Sequence, residues 1–300
     1  MSSAASSPSA YIGRFAPTPS GYLHFGSLVA ALASYLDARA AGGRWLLRME
    51  DLDPPREMPG AQDAILQALE AYGFEWDARM VRQSERLDVY NAMIDRLWRD
   101  GHAYACDCSR KQLQPFAGLY PGFCRDAGRD LEDAAIRLCV PDREYAFTDR
   151  VQGAFRQHLG REVGDFVIRR RDGLIAYQLA VVLDDAWQGV TDVVRGADLL
   201  DSTPRQLYLQ ALLGLPEPQY LHVPLIIQPD GHKLGKRYRS PPLQPEQATP
   251  LLLRALRALG QPTAPELNDA LPGEIFTWAI PRWDAGKIPR TRTLAEAQLR

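Results

Sequence analysis

The chain has 300 residues, 46% of them hydrophobic, with 35 Lys and Arg against 37 Asp and Glu. That length suits one large domain or two modest ones, and the composition is that of an ordinary globular protein. A net charge of −2 at pH 7 excludes nonspecific attraction of nucleic acid by an overall basic field, so any such contact needs a local patch.

The opening "MSSAASSPSA" has no basic region or apolar core and reads as a disordered tail over 1–10 rather than a signal peptide. No apolar run reaches membrane-spanning length, and a cytoplasmic location is expected. Residues 11–15 read as a strand. Residues 27–41 read as a helix with Leu28, Leu32, Tyr35, Leu36 and Arg39 on one face, stopped by Gly42 and Gly43. A strand over 44–50 and a helix over 60–73 follow. A second helix is expected over 84–101, with Ser84 as N-cap and Gly101 as its stop. Strand–helix alternation predicts a parallel sheet with crossover helices.

The alternation breaks over 103–160, where "AAIRLCV" and "REYAFTDRV" read as short strands in an insertion. It returns with "DFVIRR", "GLIAYQLAVVLDDAW", "VTDVVRG" and the helix "STPRQLYLQALLG". A last strand, 221–227, runs into the loop "QPDGHKLGKRYRSPP". A helix over 247–260 and a proline-broken tail complete the chain, which has no internal repeat.

Three stretches carry chemistry. In "RFAPTPSGYLHFGSL" a Pro- and Gly-rich turn separates a strand from a helix. A helix N-terminus has unpaired N–H groups and a partial positive charge, so such a turn suits phosphate. Neither a P-loop nor a G-x-G-x-x-G is present. The turn offers instead His24, Gly26 and Ser27, with the imidazole as a donor to a phosphate oxygen. In "HKLGKR" the lysines Lys233 and Lys236 follow an apolar strand, where they suit a polyphosphate whose charge grows in a transition state. In "CDCSRKQLQPFAGLYPGFC" the thiols of Cys106, Cys108 and Cys124 can serve a tetrahedral zinc, with Cys139 and His102 among the candidates for a fourth ligand.

Together the first two stretches resemble the paired H-x-G-H and K-M-S-K-S signatures of class I aminoacyl-tRNA synthetases. With "LLRMEDLDPPR" they are similar to the glutamyl-tRNA synthetase catalytic domain from about Tyr11 to about Ser240. Ser27 stands where the second His of the early motif would be, and Gly235 where the middle Ser of the late one would be. The resemblance implies an α/β chain: a Rossmann-like parallel-sheet nucleotide-binding domain with a zinc-containing insertion and a short helical C-terminal region. Its parts would be 11–102 and 161–240 for the catalytic domain, 103–160 for the insertion and 241–300 for a helical cap without an anticodon-binding domain.

Glutamate presents two carboxylates and one ammonium, so its pocket needs two cationic groups and an anion. The resemblance assigns glutamate binding to Arg14, Phe15, Ala16, Pro17, Thr18, Glu50, Tyr177 and Arg195. It assigns ATP binding to His24, Gly26, Ser27, Lys233 and Lys236, of which His24 and Lys236 would be catalytic, with Mg2+ accompanying the nucleotide. Asp51 and Asp53 are expected to orient Arg48 or Arg56, or to form a polar turn. The short C-terminal region, the H-x-G-S variant and the cysteine loop look like a short branch of the family. Its members activate glutamate without tRNA and load it onto queuosine in the anticodon of tRNA(Asp). That branch implies Tyr120 as the fourth zinc ligand, completing Cys106, Cys108 and Cys124. The partners implied are ATP, L-glutamate and a queuosine-containing tRNA(Asp), with no membrane, and the chain is expected to be a monomer. A shortened enzyme charging tRNA(Glu) and a non-catalytic zinc-containing tRNA-binding paralogue are the competing readings. The runs "VIRRRDG" and "KRYR" are candidates for contact with RNA phosphates.

Overall fold

A computed structural model describes residues 10–116, 118–228 and 241–299. The chain opens with β1 (Ile12–Phe15), α1 (Phe25–Ala40) and β2 (Arg44–Met49). It continues through α2 (Ala61–Ala71), the short β3 (Val81–Arg82) and α3 (Leu87–Arg99). The strands pair in parallel in the order β1-β2-β3. The turn between α1 and β2 depends on its two glycines. Gly42 has a φ of +64°, and a Cβ on Gly43 would lie 2.4 Å from the Tyr11 carbonyl oxygen.

Two boundaries differ from the sequence reading. Helix α1 begins at Phe25, two residues early, because the His24 side chain caps it. Ser84 is no N-cap. Its N–H and hydroxyl are taken by Asp51 at 2.9 and 2.6 Å, and α3 starts only after a 3-10 turn over Gln83–Arg86.

The insertion holds β4 (Ala103–Cys106), α4 (Arg110–Leu113) and β5 (Ala135–Leu138). Next come β6 (Glu144–Asp149), β7 (Gly153–His158), α5 (Leu159–Glu162) and β8 (Phe166–Arg169). Strands β6 and β7 form an antiparallel hairpin, so "REYAFTDRV" is only its first arm. Strand β8 was expected to resume the parallel sheet. It pairs antiparallel with β5, whose other edge carries β4. A four-residue apolar strand does not say which edge it will join.

Parallel order resumes after α6 (Tyr177–Trp187), with β9 (Asp192–Gly196), α7 (Thr203–Leu213) and β10 (Gln219–Val223). Thr191 ties β9 to the free edge of β1. Its N–H donates to the Ile12 carbonyl and its Oγ1 accepts from the Ile12 N–H, both at 2.9 Å. The strands after β1 are added outward on one side and those after β9 on the other, so the winding reverses between β1 and β9. The expected strand 221–227 is broken at Pro224, which has no N–H to give a ladder. Beyond it β11 (Leu225–Ile227) turns to a new partner, β12 (Thr293–Ala295). The C-terminal region, α8 (Ala248–Ala258) and α9 (Pro272–Ala279), thus adds a strand to its helices. It packs into the core formed by α1 and the parallel strands. Buried Asp37 on α1 fastens it there, accepting from Tyr11, Arg150 and Trp283. Among the described residues no helix is long and apolar enough to cross a membrane.

Candidate active site

Open parallel sheets bind ligands beyond the carboxyl ends of their strands, where the winding direction reverses. Here that point lies between β1 and β9, and a cavity of about 520 Å³ opens there. Its walls include Arg14, Phe15, Ala16, Pro17 and Thr18 at the end of β1. Glu50 follows β2, Tyr177 starts α6 and Arg195 ends β9. All eight residues assigned to glutamate therefore converge on one cleft, and His24, Gly26 and Ser27 line it too. The backbone registers the parts: the Glu50 N–H donates to the Pro17 carbonyl at 2.9 Å.

At the turn, His24 Nδ1 accepts from the amides of Gly26 and Ser27 at 3.1 and 3.4 Å. This is the work of an N-cap, done by an imidazole rather than a Ser or Asp. It also amends the sequence reading, since two of the helix's amide donors face the ring instead of a ligand. Because Nδ1 accepts, the ring proton belongs on Nε2, which is the donor that the turn offers.

The two arginines sit in different surroundings. Arg14 Nε and Nη2 lie 3.1 and 3.4 Å from the Asp185 carboxylate, which also accepts from Arg48 at 2.8 Å. Arg48 is wholly buried, and it reaches Glu50 at 3.4 Å and Gln188 at 2.6 Å. Asp184, also wholly buried, accepts from Gln83, Arg86 and Tyr90. Burial alone would raise the Asp185 carboxyl, but the Arg14 and Arg48 charges outweigh it and hold it below its ordinary value. For Glu50 burial wins over the same two cations, and its carboxyl is pushed up. That leaves an acid whose anion gains from an incoming ammonium. Arg195, by contrast, donates to His222 Nε2 at 3.0 Å, Thr203 Oγ1 at 2.9 Å and Tyr177 Oη at 3.4 Å.

In the insertion the sulfurs of Cys106, Cys108 and Cys124 lie within 4.8 Å of one another, a group that can hold a metal ion. The Tyr120 hydroxyl lies 3.4 Å from Cys106 Sγ and 3.8 Å from Cys108 Sγ. Gly164 lets the Tyr120 backbone approach, for a Cβ there would lie 2.4 Å from the Tyr120 carbonyl oxygen. Cys139 and His102 stand outside the thiol group.

Lys233 and Lys236, with the "KRYR" run, lie outside the described residues. Of "VIRRRDG", Arg170 is paired within the chain to Asp53 and Asp172, and Arg171 donates to the Asp107 carbonyl. Asp53 also holds Arg56, as expected. Asp51 orients neither arginine and holds Ser84 instead. Sequence reading missed Asp184, Asp185 and His222. Two adjacent acids ending the apolar run "LAVVL" and a histidine inside "LHVPLII" were the available signals, since such groups must be paired when buried.

Residues 12–117 and 124–248 match the family described as tRNA synthetases class I (E and Q), catalytic domain. The chain is 78% identical over 291 residues to the glutamyl-Q tRNA(Asp) synthetase of Ectopseudomonas mendocina, covering 97% of this chain and 99% of that one. It is 73% identical to the protein of the same name from Pseudomonas aeruginosa, again with 97% and 99% coverage. Among solved structures it is similar to the glutamate-tRNA synthetase of Elizabethkingia anophelis, with a TM-score of 0.80 at 25% identity, covering 97% of this chain and 69% of that one.

Proposed function

The chain belongs to the class I tRNA synthetases (E and Q), and from that premise we propose that it activates glutamate with ATP and transfers it to queuosine in tRNA(Asp). The carrying observation is the cleft itself. Two guanidiniums, a buried carboxyl and a phenol meet beside a capped helix start, matching an amino acid with two carboxylates and an ammonium.

The reaction needs no protein nucleophile. An α-carboxylate oxygen of glutamate attacks the α-phosphorus of ATP and pyrophosphate leaves. A hydroxyl of the queuosine cyclopentene ring then attacks the glutamyl carbonyl of the mixed anhydride, losing its proton as the acyl–phosphate bond breaks and AMP leaves. Positioning supplies much of the acceleration, about 7–11 kcal/mol for well-oriented reactants. Glu50 takes the ammonium, and Arg14 and Arg195 serve the carboxylates, with Phe15, Ala16, Pro17 and Thr18 forming the adjoining wall. The His24 Nε2–H holds a phosphate oxygen beside Gly26 and Ser27. Lys236 neutralises the β- and γ-phosphates as they leave, Lys233 also serves ATP binding, and magnesium accompanies the nucleotide.

The metal suited to Cys106, Cys108, Tyr120 and Cys124 is zinc. Thiolates about 2.3 Å from a tetrahedral zinc lie about 3.8 Å apart, close to the 3.5 Å between Cys108 and Cys124. When bound it braces the loop, since four protein donors leave no open position for chemistry. Glutamate-dependent ATP–pyrophosphate exchange in the absence of tRNA tests the activation step. Exchange with glutamate and not with glutamine is expected, and no exchange at high enzyme concentration would overturn the reading.

A further inference from the structure

Arg14 faces a carboxylate, whereas Arg195 forms no ion pair among the described residues. Its three side-chain hydrogen-bond partners, His222, Thr203 and Tyr177, are acceptors without negative charge, and its one cation–π contact among the described residues is the Tyr220 ring, 5.4 Å away. Arg195 is only 6% exposed, and His222 and Thr203 are wholly buried. A buried cation whose direct hydrogen-bond partners are all neutral has no opposite charge in contact with it, a costly arrangement until an anion arrives.

His222 can accept from Arg195 only if its proton sits on the other nitrogen. His222 Nδ1 lies 2.6 Å from Asp149 Oδ2, so it carries that proton and donates to the carboxylate. Asp149 is fixed in turn. Its Oδ1 accepts from the N–H groups of Val151 and Gln152 at 2.9 and 2.8 Å, in the turn between β6 and β7, and from the His222 N–H at 3.2 Å. Neither Asp149 nor His222 lines the cleft. The hairpin of the insertion is thereby wired to the end of β9.

We infer that Asp149 and His222 are positioning residues for the amino-acid substrate: Asp149 fixes the His222 tautomer, and His222 aims the uncompensated Arg195 guanidinium at a substrate carboxylate. This inference rests on the reading of the cleft as a glutamate site. With an apolar side chain at 222, Arg195 Nε loses its acceptor and the guanidinium turns to find another. The loss falls on glutamate and spares ATP.

The test is the KM for glutamate and for ATP in tRNA-independent pyrophosphate exchange. H222L should raise the glutamate KM by about 10- to 100-fold, the cost of orphaning a buried charged donor, with the ATP KM unchanged. H222Q supplies one acceptor and one donor and should restore most of the loss. If H222L does not fold, T203V removes the acceptor at Nη2 and should give the same split between the two substrates. An unchanged glutamate KM, an equal rise in both KM values, or an H222Q enzyme as impaired as H222L would overturn the inference. A parent enzyme with no glutamate-dependent exchange would instead refute the reading of the cleft.

Discussion

The set of residues assigned to glutamate comes from positions 14 to 195, on or beside four separate elements, while the cysteine cluster takes its donors from residues 106 to 124. The first is held by buried charges that meet only when the whole sheet has assembled. The second takes all its donors from one short stretch of chain, with Arg137 and Gly164 as its supports from outside it. Damage to the cleft's supports should therefore cost the whole molecule, and damage to the cluster should stay local.

The largest expected effect sharpens that contrast. D185A strands the buried Arg14 guanidinium and takes from Arg48 its shortest ion pair, leaving Arg48 with Glu50 and Asp184. Breaking a buried pair from one side costs about 3–5 kcal/mol, so denaturant unfolding should show a loss of that size. A loss below about 1 kcal/mol, the worth of an exposed pair, would break the comparison. H24A comes next. Removing a preorganised donor lowers kcat by about 100- to 1000-fold, while losing the cap costs about 1 kcal/mol of stability. H24N keeps an acceptor for the cap but places no donor at the Nε2 position, so it should restore the stability and not kcat. Recovery of kcat in H24N would count against a role for the Nε2–H.

Removing the metal proposed for the cysteine cluster tests the other region. Chelation, or C124S, should abolish hydrogen-exchange protection around residues 103–125 while the parallel strands β1, β2, β9 and β10 keep theirs. Loss of protection throughout would show that the cluster is not a local unit. The smallest effect concerns pH. Burial, with the nearby Arg195 charge, pushes the His222 imidazole down to about 4, against the Asp149 bond that favours its charged form. The unfolded chain binds that proton near pH 6.5, so acidification favours unfolding. The contribution is fully present above about pH 6.5 and is lost as pH falls towards about 4. Melting temperatures of the parent and H222Q should diverge least below that window, and parallel pH profiles would contradict the assignment.

How much of this was legible in the sequence follows the same division. The cysteine loop could be read from spacing, and the early strands and helices from periodicity, because both are local signals. Arg14, Glu50, Tyr177 and Arg195 were found through a family resemblance, since no spacing links residues brought together by strand order. The supports of those residues went unseen. Asp185 reaches Arg14 across 171 positions, and Asp149 reaches His222 across 73. Edge choices were equally opaque: β8 joined the insertion and β11 found β12, although neither strand carries a side-chain pattern that names its partner.

The central claim is that glutamate activated in this cleft is delivered to a modified anticodon base. The most direct measurement is transfer of labelled glutamate, with ATP, to tRNA from cells that make queuosine and from cells that do not. Label on tRNA(Asp) from the first source alone is the predicted result. Equal labelling of both, or label on tRNA(Glu), would contradict it.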